Sequence, residues 1–90
     1  MDKKLENLRK QIDNLDQDLL ALFAKRTSIV RKIGKFKKIH GIPPLDEKRW
    51  QQVLEGKLVK AESLNLSKDF IKKIYTLIHK YSLRIERKNE

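Results

Sequence analysis

Two cations eleven residues apart, Arg26 and Lys37, stand where the apolar pattern of "LLALFAKRTSIVRKIGKFKK" should continue. The apolar positions run Leu5, Leu8, Ile12, Leu15, Leu19 and Leu22, then resume at Ile29, Ile33 and Phe36, in the alternating steps of three and four that mark one helix face. The step after Leu22 lands on Arg26. At about 100° per residue, Arg26 lies near the centre of the stripe, and Lys37, about three turns on, lies within about 20° of it. A buried cation without a counter-charge is strongly destabilising, so something negative belongs in this seam. It is Asp13, Asp16 or Asp18 of the same chain, or a ligand, unless the long side chains reach solvent along their stems. Arg9 lies about 100° off the stripe centre and points away from Arg26 within its own chain.

The elements that must carry these residues are helices. Strand-like alternation is absent, and so are internal repeats and low-complexity segments. A first helix is predicted from about Lys3 to about His40, ended by Gly41 in a left-handed conformation and by Pro43 and Pro44. Asp46 is an N-cap for a second helix, roughly Glu47 to Ala61, with Trp50, Val53, Leu54, Leu58 and Ala61 facing inward and Gly56 weakening it. Ser67 caps a third, whose stripe is Phe70, Ile71, Ile74, Leu77, Ile78, Tyr81 and Ile85, with the tail "ERKNE" expected to fray. The first helix would be roughly 55 Å long against a diameter nearer 30 Å for a compact chain of this size. It must protrude, and its stripe then calls for a partner, most simply a second copy of the chain. The expected fold is all-α, three helices per chain with a long first helix, in an intertwined homodimer forming one domain over residues 1–90.

Composition narrows the classes. Ninety residues are near the lower limit for a self-sufficient core. No cysteine is present and the only histidines are His40 and His79, so disulfide and metal chemistry are not expected. The charged start "MDKKLENLRK" and the lack of a long apolar run lead us to expect a cytoplasmic protein without a membrane segment. Lys and Arg number 22 against 12 Asp and Glu, a net charge of +10; such a balance favours anionic partners, although single exposed lysines are mostly solvated helix surface.

The run "LRKQIDNLDQDLLALFAKR", the later "GKFK", the "PPLDEKR" connection and "YSLRIE" together resemble the AroQ-type chorismate mutases, from about Leu5 to Glu86. That resemblance implies an intertwined helical dimer that rearranges chorismate to prephenate without a cofactor. It implies that Arg26, Lys37 and Arg49 of one chain, with Arg9 of the other, hold the two carboxylates and the ether oxygen. It further implies that Lys37 faces that oxygen together with Glu86, that Asp46 sits near the ring hydroxyl, and that Ser82 meets the ring carboxylate. A Claisen rearrangement needs no general base; it needs a folded substrate and stabilised charge on the ether oxygen, and cations do both.

Each assignment has a plainer reading beside it. Asp46 is also an N-cap, Ser82 and Glu86 are also boundary residues one turn apart, and Arg49 is also a solvated arginine, though its place in a first turn opposes the helix dipole. His79 reads as structural. Trp50 stands where many members of the family carry a glutamate that meets the substrate hydroxyl, and Glu86 where many bacterial members carry glutamine. A carboxyl at Glu86 helps an ether oxygen only by donating a hydrogen bond, which requires its protonated form. The alternatives are isochorismate pyruvate lyase on the same fold and a basic helical nucleic-acid-binding dimer; the latter lacks basic residues interleaved with aromatics. Docking onto a partner enzyme of the same pathway is a further possibility that the sequence leaves open.

Overall fold

The computed structural model describes residues 2–88 and contains α1 (Asp2–Ile39), α2 (Glu47–Ser63) and α3 (Lys68–Lys88), with no strand among the described residues. The all-α, three-helix expectation holds. Each helix end follows local chemistry. Gly41 has φ 66°, and the Ile42 N–H reaches the Lys37 carbonyl at 2.8 Å while that of Gly41 reaches Lys38 at 3.4 Å, a Schellman motif. Asp46 caps α2 by accepting from the Arg49 N–H at 3.0 Å, and Ser67 Oγ accepts from the Phe70 N–H at 3.2 Å.

Two boundaries differ from expectation. Helix α2 continues past Ala61 to Ser63 because Asn65, at φ 58°, supplies the left-handed stop: Leu66 N–H bonds the Ala61 carbonyl at 2.9 Å. Asparagine tolerates that conformation better than other non-glycine residues. Helix α3 does not fray at Glu86 but runs through Lys88; the rest of the tail, Asn89 and Glu90, lies outside the described residues.

Helix α3 is the central element. Both α1 and α2 pack on it, whereas α1 and α2 do not pack on each other, which leaves a V-shaped gap between them with α3 as its floor. Gly34 lets α1 come close: a Cβ there would stand 3.0 Å from the Glu86 Cα, so only a missing side chain permits this approach. The packed face of α1 is Val30 and Gly34, both buried.

The long stripe of α1 is not that face. Leu5, Leu8, Ile12, Leu15, Leu19 and Leu22 are 48–59% exposed in the single chain, and no part of the apolar seam expected around Arg26 is closed by α2 or α3. Val30 lies about 40° from Arg26 and about 20° from Lys37 around the helix. The two cations therefore stand on the border between the α3-facing side and the bare stripe, and not in a sealed core. Phe70, Leu77 and Tyr81 of the α3 stripe are likewise exposed, because α1 and α2 cover only part of its apolar arc. Among the described residues the buried apolar side chains are few, Val30, Ala61 and Ile85. The chain measures 59 × 26 × 15 Å with a radius of gyration of 16.7 Å, against about 12 Å for a compact chain of this length.

Candidate active site

The gap between α1 and α2 is a cavity of about 730 Å³. Helix α1 contributes Arg26, Val30, Ile33 and Lys37; α2 contributes Arg49, Trp50, Val53, Gly56 and Lys57; α3 contributes Tyr75, His79, Ser82, Leu83 and Glu86. Asp46 and Pro44 close the end where α1 passes into α2. Six of the seven residues singled out from the sequence thus reach one cavity. Arg9 does not: it is exposed on α1, about 25 Å along the helix from Arg26.

The cations are held by contacts that sequence spacing alone does not reveal. Arg26 Nη1 donates to Ser82 Oγ at 2.7 Å across 56 residues of chain. Ser82 is 7% exposed, so the hydroxyl is a fixed post and retains its own proton for a further acceptor. No ion pair joins Arg26 to Asp13, Asp16 or Asp18 among the described residues; Ser82 takes that place, and the guanidinium keeps most of its donors.

Lys37 is more tightly engaged. Its Nζ donates to the Pro44 carbonyl at 2.7 Å, a group that the Gly41 turn folds back over the end of α1. The same Nζ stands 2.7 Å from Glu86 Oε1, with side-chain exposures of 21% and 10%. This second contact is one of charge and not an aligned hydrogen bond, for Glu86 Oε1 is buried without a hydrogen-bond donor. An acceptor in that state favours a donor from whatever enters the cavity. Close passage of Gly34 against Glu86 is what brings the carboxylate to the lysine.

On the α2 wall, Asp46 Oδ1 is occupied by its capping bond, leaving its other oxygen. Trp50, half-buried, stacks on His79 with ring centroids 4.0 Å apart and planes 6° from parallel, so the indole both packs and lines the cavity. The reading of His79 as purely structural is incomplete, since it lines the cavity as well. Its pKa lies below the ordinary 6.5, chiefly because burial disfavours the charged ring, with Glu47 and Glu86 opposing and Arg26 and Lys37 reinforcing that shift. Lys57, not singled out from the sequence, also lines the cavity with its Nζ 5.5 Å from the Tyr75 ring centre. Its only sequence signal is its place seven residues after Trp50, two helical turns along the same face. Among the described residues no three His, Asp or Glu side chains converge as a metal-ligand set.

Arg26, Lys37 and Arg49 share one cavity with the carboxylates of Asp46 and Glu86 and the hydroxyl of Ser82, in an all-helical frame. The chain belongs to the chorismate mutase type II family, whose sequence pattern matches residues 8–87. It is similar to a T-protein of Haemophilus influenzae, 39% identical over 70 residues, covering 78% of this chain and 19% of the relative. A T-protein of Enterobacter agglomerans is 33% identical over 83 residues, 92% of this chain and 22% of the relative. The chain thus spans about a fifth of the length of these two proteins. A chorismate mutase of Methanocaldococcus jannaschii is 25% identical over 87 residues, and there the match covers 97% of this chain and 88% of the relative.

Proposed function

We propose that this chain is a chorismate mutase, an isomerase of aromatic amino-acid biosynthesis that converts chorismate to prephenate in the cavity between α1 and α2. The observation that carries the reading is the fixed pair of cations on α1, Arg26 held by Ser82 and Lys37 held by Pro44 and Glu86, facing Arg49 across a cavity of the right chemistry for a dicarboxylate. Guanidinium forks grip carboxylates through paired hydrogen bonds. Arg26 and the free proton of Ser82 suit the ring carboxylate, and Arg49 the carboxylate of the enolpyruvyl arm. With both ends held, the arm folds over the ring and the reacting carbons are brought together, which replaces an entropic cost of the free reaction by a cost met on binding.

As the ether bond breaks, negative charge grows on its oxygen. On this reading Lys37 meets it, and because its ammonium is already held by Pro44 and Glu86 it needs little reorganisation in the transition state. Glu86 flanks the same site, where its carboxyl would donate to the oxygen only when protonated. No proton need be removed from substrate, so the site calls for no general base.

The bare stripe of α1 supports a homodimer. Leu5, Leu8, Ile12, Leu15 and Leu19 form an unbroken apolar band on a helix with few neighbours, and the enclosed core of one chain is small for independent stability. The family resemblance implies that such a second copy brings its Arg9 to the cavity of the first. Among the described residues no helix is long and apolar enough to cross a membrane. Neither the lyase nor the nucleic-acid reading is favoured by any particular feature of the cavity.

Purified protein mixed with chorismate tests the activity: prephenate should accumulate as chorismate disappears, and no turnover at any pH would remove the proposal. Mixing Arg9→Ala chains with Arg26→Ala chains tests the shared site. Subunit exchange should regenerate some intact sites and recover part of the activity; exchange without recovery would place Arg9 outside the site.

A further inference from the structure

The stack of Trp50 on His79 is left unused by the cation scheme. The two rings come from opposite elements, Trp50 from the first turn of α2 and His79 from the middle of α3, and their near-parallel contact at 4.0 Å fixes the plane of the imidazole. Both line the cavity. No described residue hydrogen-bonds a ring nitrogen of His79.

The charged groups that act on the ring are Glu47 of α2, Glu86 of α3, and Arg26 and Lys37 of α1; burial first, with the two cations, holds the pKa below 6.5 against the two carboxylates. Near pH 7 the ring in the cavity is therefore the neutral imidazole, with one N–H donor and one bare acceptor nitrogen. That pairing is poor for a carboxylate, which the neighbouring cations serve better, and good for a hydroxyl, which both donates and accepts. Trp50 has no acceptor of its own, and one oxygen of Asp46 is committed to its cap.

We propose that His79, held in place by its stack on Trp50, is a specificity-determining residue that hydrogen-bonds the ring hydroxyl of the substrate. The inference rests on the mutase reading above, and its test separates the two. Chorismate and the analogue whose ring hydroxyl is replaced by hydrogen are each assayed with the unaltered protein and with His79→Phe, which retains the stack and loses both nitrogens. On chorismate, kcat/KM should fall roughly ten- to hundredfold, the usual consequence of leaving a buried polar group unpaired. On the analogue the two proteins should agree within about threefold. His79→Gln should recover part of the loss on chorismate alone.

An equal loss on both substrates would show His79 to be only a wall of the cavity and overturn the proposal, as would no loss on either. Failure of the unaltered protein to convert chorismate would overturn the mutase reading first. If His79→Phe loses its helical signal, His79→Leu carries the same comparison of two substrates.

Discussion

The two halves of α1 are made of the same kind of sequence and do opposite things. From Leu5 to Leu22 the apolar stripe meets neither α2 nor α3 and stays bare. From Val30 to Lys37 the helix is clamped on α3 through Val30 and Gly34 and presents charge to a cavity. Hydrophobic periodicity marks both halves alike, yet what packs within the chain is set by a residue with no side chain. Gly34 allows contact at backbone distance, whereas the leucines of the first half and Ile12 stay exposed in the single chain.

The contrast can be broken most severely on the bare side. Replacing Leu15 and Leu19 together by aspartate should abolish self-association and, with it, the cooperative helical transition, because one chain has too little core to stand alone. Sedimentation and far-UV circular dichroism at several concentrations read both at once. A stable folded monomer would show that the stripe serves something else.

The complementary change is on the clamped side. Arg26→Ala should leave helical content and assembly intact and lower turnover by roughly 10² to 10³, typical of losing one preorganised electrostatic contact. Steady-state kinetics alongside a melting curve decide it: retained activity with a collapsed fold would make Arg26 a structural residue.

Gly34→Ala sharpens the comparison at the hinge between the two behaviours. The added methyl would meet the Glu86 backbone at 3.0 Å, so α1 and α3 must separate by a few tenths of an ångström. Overpacking of this kind costs about 1–3 kcal/mol, and the shift also pulls Glu86 from Lys37. Melting temperature and turnover should both fall; an alanine at Ala24, on an exposed turn, is already tolerated by the same helix. Unchanged stability would mean that the close approach is easily relaxed.

The smallest effect is with pH. The unfolded chain protonates His79 near its ordinary 6.5, whereas the folded chain holds it below that value, chiefly through burial. Between those two points the unfolded state binds more protons, so this contribution to stability is complete above 6.5 and is lost as pH falls below it. Denaturant midpoints for the unaltered protein and for His79→Phe should converge at higher pH and separate in favour of the phenylalanine variant in mild acid. Parallel curves would detach His79 from the acid limb.

How much could be read without the structure follows from the range of each signal. Gly41, Pro43, Asp46 and Ser67 act on backbone within a few residues, and the helix ends they imply are the ones observed; Asn65 carried the same kind of signal for the end of α2 and extends it to Ser63. The three-helix, all-α fold and the excess length of α1 were equally legible, since periodicity and rise per residue are properties of the chain alone. So was the presence of two cations in conflict with the pattern around them. Their surroundings were not legible. That Arg26 ends on Ser82, that Lys37 meets Glu86, and that Trp50 finds His79 are contacts between residues far apart in sequence. They exist because α1 and α2 each choose α3 and leave a gap between themselves, and that choice depends on how closely whole helix faces fit. The sequence of a helix determines which residues share a side; only packing against another helix decides which side is used.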